Sequence, residues 1–310
     1  MSSGRLTTNL CGIQMKSPVM AASGTCGYGV EMEGLLDWNH VGGVVVKGLS
    51  KEPMAGNAPP RLWETEAGMM NSVGLQNIGV RAFVREKLPR LAELPVAVFA
   101  NVFGYAVEDY CEVVGVLEEA EGLSGYELNV SCPNTKHGGI FFSSDAGMLA
   151  ELVGRVRAIA RRPVIVKLSP NVAKIEPLAK AAEDAGAAAV SLVNTFIALA
   201  VDARSRKPRI GAGFGGLSGP AIKPVALRMV HEAWRAVRIP VIGLGGIISG
   251  EDAAEFLVAG ASAVQVGTAS FAEPGAVSRI SRELEEFLKR ERIAQVSELV
   301  GTLEMGESEK

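Results

Sequence analysis

Short apolar runs recur along the chain, and most are followed by an amphipathic stretch. The runs are Pro18–Ala22 (PVMAA), Gly43–Lys47 (GVVVK), Val96–Asn101 (VAVFAN), Tyr126–Val130 (YELNV), Val164–Leu168 (VIVKL), Ala188–Asn194 (AAVSLVN), Val241–Gly245 (VIGLG) and Ala263–Gly267 (AVQVG). They are short and rich in β-branched residues, as strands buried on both faces are. Between them, Val107–Ala120, Met148–Ala160, Ile175–Ala185, Pro220–Val237 and Gly250–Val258 read as helices. Eight strands alternating with helices predict parallel pairing through right-handed crossovers. Eight such units in 310 residues predict a closed (β/α)8 TIM barrel, with its active site at the carboxyl ends of the strands, over an open doubly wound sheet.

No linker, low-complexity block or shift in composition divides the chain, so residues 1–310 are expected to form a single domain. Leu49–Gln76 lacks strong periodicity and is rich in Gly, Pro and Asn, which predicts a long loop roofing the barrel mouth. The tail after Glu298 is short and charged, and from about residue 299 to 310 it is expected to be loose.

Composition narrows the class. Apolar residues make up 48% of the chain, enough for a large core, and the formal net charge of -3 gives no footprint for nucleic acid or an anionic membrane. The start, MSSGRLTTNL, has no apolar signal core, and no run approaches the roughly 20 apolar residues of a bilayer span. A soluble, cytoplasmic protein without nucleic-acid or membrane partners is expected. Cys11, Cys26, Cys111 and Cys132 lie far apart with no CxxC, so neither a disulfide framework nor a zinc or iron–sulfur site is expected on this chain.

Polar residues gather where the predicted strands stop. Lys47 closes the second, Asn101 the third, Lys167 the fifth and Asn194-Thr195 the sixth; Asn129 and Cys132 belong to NVSCPN, which ends the fourth. A thiol just beyond a strand, held off helix by Pro133, is a candidate base or nucleophile. The last units differ: LGGI at 244–247 and Gly267-Thr268, with GGLSG at 215–219 upstream, let backbone N–H groups approach a phosphate, with a helix dipole behind them. No GxGxxG with a downstream acid follows the first strand, which argues against a dinucleotide fold.

In that order, NVSCPN, VKLSPN, LVNT, GGLSGPAIKP, PVIGLGGI and VQVGTA closely resemble the FMN-dependent dihydroorotate dehydrogenases, and the likeness runs from PVMAASGTCGYG to the eighth strand. Several of these motifs are shared with dihydropyrimidine dehydrogenases, but the cysteine of NVSCPN followed by TKHGGIFF looks like class 1. VKGLS, GNAPPRLWET, GMMNSVGLQNIG and CPNTKHGG look more like subtype 1B, whose catalytic subunit works beside a subunit carrying FAD and a [2Fe-2S] cluster and passes electrons to NAD. The resemblance implies oxidation of (S)-dihydroorotate to orotate in pyrimidine synthesis. It also implies a homodimer of this chain within a heterotetramer of two catalytic and two electron-transfer subunits.

Residue by residue, Cys132 matches the family's general base, which takes a ring proton as hydride leaves for flavin N5. Lys47, Asn71, Ser72, Val73, Gly74, Leu75, Asn129, Asn194 and Thr195 match the substrate cradle. Ser23, Lys47, Gly48, Asn101, Asn129, Lys167, Val193, Gly219, Gly245, Gly246, Gly267 and Thr268 match FMN contacts, with Lys167 near flavin N1 and O2. No metal ligand is implied. His137, five residues after Cys132, suggests a Cys–His pair, but its loop is expected to fold over the substrate. His40 and His231 lack partners in the pattern, Cys26 reads as structural or interfacial, and RSRKPR at 204–209 reads as a solvated loop. The alternatives are a fumarate-coupled class 1A enzyme, a related flavin-dependent pyrimidine reductase, and a barrel that binds a phosphorylated ligand without redox chemistry.

Overall fold

In the computed structural model, residues 4–130 and 140–306 are described. Eight strands form a closed parallel barrel: β1 (Val19–Ala21), β2 (Gly43–Val45), β3 (Ala97–Val102), β4 (Gly125–Asn129), β5 (Val164–Lys167), β6 (Ala189–Leu192), β7 (Val241–Leu244) and β8 (Ala263–Val266). Each pairs with its neighbours in chain order, and β8 pairs with β1 through Val264 opposite Val19. The strands are buried on both faces, which is why they read as unbroken apolar runs.

Outside lie α1 (Val80–Glu86), α2 (Val107–Glu118), α3 (Ala146–Arg157), α4 (Glu176–Asp184), α5 (Lys223–Ala236), α6 (Gly250–Val258) and α7 (Ala276–Arg290). The helical pattern of α7 places Val277, Ile280, Leu284 and Leu288 on one buried stripe, while Glu285, Lys289 and Arg290 face water. It packs against α6 and covers the β1 side. The sequence reading did not single out α1 or α7.

Three further features depart from the sequence reading. A hairpin, Thr8–Leu10 with Ile13–Met15, turns on Cys11 and Gly12, both with positive φ (55° and 85°), the backbone of a tight two-residue turn. Its Leu10 and Met15 pack with Met20, Val45, Phe99, Ile165 and Ile242, forming an apolar layer at one end of the barrel interior.

The segment 49–76 is not only loop. Leu62–Thr65 and Gly68–Asn71 form a hairpin that joins Phe214–Ser218 and Phe196–Leu199 in a four-stranded antiparallel sheet. This sheet roofs the open end. The tail, expected loose from about 299, is tied down as far as Leu303: Gly301 N donates to Leu257 O and Leu303 N to Val258 O.

Candidate active site

The barrel interior changes character along its length. Above the apolar layer stands a polar one, contributed by five strands: Asn101 from β3, Glu127 from β4, Lys167 from β5, Ser191 from β6 and Gln265 from β8. All are buried. Glu127, fully buried, accepts from Asn101 Nδ2 (2.8 Å) and pairs with Lys167 Nζ (3.5 Å) at Oε1, and accepts from Ser191 Oγ (2.9 Å) and Gln265 Nε2 (2.7 Å) at Oε2. A carboxylate with four donors satisfies the burial rule for charge. Among the described residues, Asn101 Oδ1 and Gln265 Oε1 are left without a protein partner.

Above this floor lies a cleft of ≈ 230 Å³ that opens between the strand ends and the roof sheet. Ser23 after β1, Lys47 and Gly48 after β2, Asn101, Asn129 and Lys167 at their strand ends, and Val193, Asn194 and Thr195 after β6 all line it. So do Gly219, Gly245 and Gly246, Gly267 and Thr268. Asn71, Val73, Gly74 and Leu75 reach it from the roof hairpin and the turn after it. Ser72 does not: its side chain is fully buried behind the wall and its carbonyl accepts from Asn57 Nδ2. The strand Gly68–Asn71 turns Met69 and Asn71 to the cleft, and Ser72, the next residue, is held on the other side as its N–H donates to Arg61 O (2.8 Å). Cys132 and His137 lie outside the described residues.

Neighbouring groups hold these side chains in place. Asn194 Nδ2 donates to Asn129 Oδ1 (3.3 Å) and Thr195 N to Asn194 Oδ1 (2.8 Å), while Tyr110 hydroxyl secures the Asn129 carbonyl (2.9 Å). Thr268 Oγ1 bonds Ser218 Oγ (2.8 Å), joining the loop after β8 to the roof. Burial pushes the Lys47 ammonium below its ordinary pKa and Arg61 adds repulsion, against a weaker pull from Glu31.

The glycines separate into two kinds. Gly215 and Gly216 do not line the cleft; a Cβ on Gly216 would lie 2.0 Å from Thr195 Oγ1, so that pair of GGLSG serves close packing of the roof and not an anion. Gly246 has φ +81°, and a Cβ there would stand 2.8 Å from both Gly219 O and Lys223 Cβ. Gly267 is different: a Cβ would meet nothing nearer than Ala22 Cβ at 3.5 Å, so the protein itself does not demand glycine. The helix dipole expected behind LGGI is already engaged. Asp252 Oδ2 accepts from Ile248 N and Ser249 N, and Ser249 Oγ accepts from Asp252 N, which caps α6 internally.

The family profile described as "Dihydroorotate dehydrogenase" matches residues 5–288. The chain belongs to the dihydroorotate dehydrogenase family. A Solibacter usitatus relative, provisionally named dihydroorotate dehydrogenase A (fumarate), is 69% identical over 96% of this chain and 98% of its own length. Relatives from Geobacter sp. (strain M21) and Geobacter sulfurreducens are 50% and 49% identical, each over 97% of this chain and 98% of their own length. Both are named dihydroorotate dehydrogenase B (NAD(+)), catalytic subunit.

Several cleft residues of this dihydroorotate dehydrogenase family member carry no expectation from its sequence: Thr25, Met69, Gln76, Ser218, Gln265 and Phe271. Gln265 and Glu127 had a signal. Each is a polar residue inside an apolar run, where burial demands partners. The other titratable candidates sit apart. Cys26 is buried between β1 and β2, its thiol donating to Ala22 O (3.4 Å) and pushed up to about 12 by burial. His40 pairs with Asp37 at the surface and His231 faces Ala259 O. Arg209 of the basic cluster pairs with Asp202 and lies over the Trp63 ring.

Proposed function

We propose that this chain is an FMN-dependent class 1 dihydroorotate dehydrogenase that oxidises (S)-dihydroorotate to orotate in pyrimidine synthesis. The observation that carries the reading is the cleft: in a barrel matched by the family over residues 5–288, two lysines and three strand-end asparagines converge beneath one roof. The residues present suit the cofactor. Asn101 Oδ1 and Gln265 Oε1, buried acceptors on the cleft wall without a protein partner among the described residues, suit a ring N–H. The space at Gly267 suits a phosphate that approaches backbone closely. When bound, FMN supplies a hydride acceptor.

Ser23, Gly48, Asn101, Asn129, Lys167, Val193, Gly219, Gly245, Gly246, Gly267 and Thr268 would hold FMN. The Lys167 ammonium suits the negative charge a flavin gains on reduction. Lys47, Asn71, Val73, Gly74, Leu75, Asn129, Asn194 and Thr195 would hold the substrate. Lys47 faces its carboxylate, and the amides pair with ring groups that both donate and accept. Ser72 supports this wall from behind. Cys132, outside the described residues, is the proposed base on the strength of NVSCPN. The described cysteines are poor rivals, since burial raises Cys26 to about 12, Cys11 to about 11, and Cys111 as well. Cys132→Ala is expected to keep bound FMN but lose its bleaching by dihydroorotate without oxygen. Unchanged bleaching rejects Cys132 as the base.

For the acceptor we propose NAD, reached through a partner subunit carrying FAD and [2Fe-2S], with a homodimer of this chain at the centre of a heterotetramer. The four 1B-like segments and the Geobacter relatives support this. Exposed apolar side chains on the roof sheet, among them Ile197, Leu199 and Phe214, support assembly with another protein surface. The Solibacter relative favours a second reading, with fumarate as acceptor. Fumarate reduction by the isolated chain would decide for it; NAD reduction that appears only with an iron–sulfur flavoprotein would decide against it. Among the described residues no helix is long and apolar enough to cross a membrane, and a cytoplasmic location is proposed.

A further inference from the structure

We infer that Glu127 is a positioning residue for the redox step, setting both the orientation of the flavin's polar contacts and the charge balance beneath it. The inference rests on the reading that FMN binds this cleft. Glu127 itself does not line the cleft, whereas Asn101, Lys167 and Gln265 do. All three are tied to its carboxylate, at 2.8, 3.5 and 2.7 Å. The fourth partner, Ser191, is fully buried and does not line the cleft (2.9 Å).

A carboxylate only accepts hydrogen bonds, so both amides must turn their NH2 groups toward Glu127. Their carbonyl oxygens are then committed to the other side, and among the described residues neither oxygen has a protein partner. The opposite amide orientation would set oxygen against carboxylate. One buried acid therefore fixes two acceptors and one ammonium as a preorganised set. A flavin's pyrimidine edge offers the complement: one ring N–H, and negative charge gained at N1 on reduction.

The same pair sets a charge balance. The Lys167 ammonium faces a carboxylate 3.5 Å away and is itself nearly buried, so part of its field is spent on Glu127. Removing that negative charge leaves the ammonium uncompensated in a low-dielectric site, and an anionic reduced flavin relieves it while a neutral oxidised one does not. The bland alternative is that Glu127 only ties five strands together.

Glu127→Gln separates the two. It is expected to favour reduced over oxidised FMN by tenfold or more relative to the unaltered chain, a rise of about 30 mV in the two-electron potential. The measurement is a dye-equilibrated reductive titration of the bound flavin, with FMN affinity measured alongside by fluorescence. Glu118→Gln, which alters a hydrogen-bonded carboxylate on α2 that does not line the cleft, is expected to lower the melting temperature and leave the potential in place. Should Glu127→Gln not fold, Glu127→Asp keeps the charge but withdraws it by one methylene, and a smaller rise in potential is expected. An unchanged or lowered potential in the folded variant overturns the inference. Failure of the unaltered chain to bind FMN would instead overturn the reading beneath it.

Discussion

Gly267→Ala should separate what the barrel needs from what its ligand needs. Its φ lies outside the left-handed region, and the added methyl would meet Ala22 Cβ at 3.5 Å and Thr25 Cγ2 at 3.6 Å, ordinary contacts. The fold should therefore tolerate it. At a compatible site, Gly→Ala stabilises by about 0.4–1 kcal/mol through the unfolded chain. For a chain of this size that corresponds to a rise in melting temperature of roughly 1–3 °C or less.

The methyl would occupy space that the proposed FMN phosphate needs. Losing one charge-assisted hydrogen bond to that group costs about 1.5–3 kcal/mol, and so weakens FMN roughly 10- to 150-fold. Titration of apoprotein against FMN fluorescence gives the affinity, and thermal melting gives the stability. Gly246→Ala is the contrast: φ +81° and two contacts at 2.8 Å should cost about 1–3 kcal/mol of stability whether or not FMN is present. Gly267→Ala with unweakened FMN binding would refute the phosphate placement. A large loss of melting temperature in the apoprotein would refute the reasoning about space.

Two further outcomes follow from the electrostatics. Arg61 is a like charge that lowers the Lys47 pKa, so Arg61→Met should raise it and move the alkaline limit of orotate binding to higher pH, read from the flavin difference spectrum; a limit that stays or falls contradicts the assignment. Glu118 accepts from Tyr126 hydroxyl, Arg161 N and Arg161 Nε (2.9, 2.8 and 2.9 Å), and these bonds hold its pKa below the ordinary value of 4.5 despite desolvation. A depressed carboxylate contributes stability above its unfolded pKa and loses it as pH falls through the folded one. Glu118→Gln should thus cost about 2–4 kcal/mol near neutrality, less than a fully buried pair because Arg161 is exposed. The gap in melting temperature between the two proteins should close in acid below about pH 4.5.

The barrel was legible because its strands are buried on both faces: each predicted run overlaps the observed strand, with ends displaced by one or two residues at most positions. The roof was not. Its strands are four or five residues long, no shorter than most of the barrel's, but Asn71 finds its partner Gly216 some 145 residues away, a pairing no local pattern encodes. The N-terminal hairpin escaped because its strands, TNL and IQM, carry only one and two apolar residues and form no apolar run. In the cleft, strand-end lysines and asparagines announced themselves as polar residues closing apolar runs. Glu127 and Gln265 lay within such runs in plain view, yet only the closed barrel shows that they share one network with Lys167. Gly215 and Gly216 look alike in sequence to Gly245 and Gly246; close contacts with Ile210 and Asn71 for Gly215, and with Thr195 for Gly216, not any anion, explain the first pair. The capping box of Ser249 and Asp252 went unread, and it occupies the helix end that was expected to face a phosphate.

The central claim is that this chain, with FMN in its cleft, takes hydride from dihydroorotate. The most direct measurement is to mix the FMN-loaded chain with dihydroorotate without oxygen and follow the yellow absorbance. Bleaching of the bound flavin with formation of one orotate per FMN is the expected result. Flavin that stays oxidised with dihydroorotate in excess, or a chain that takes up no FMN, would contradict it.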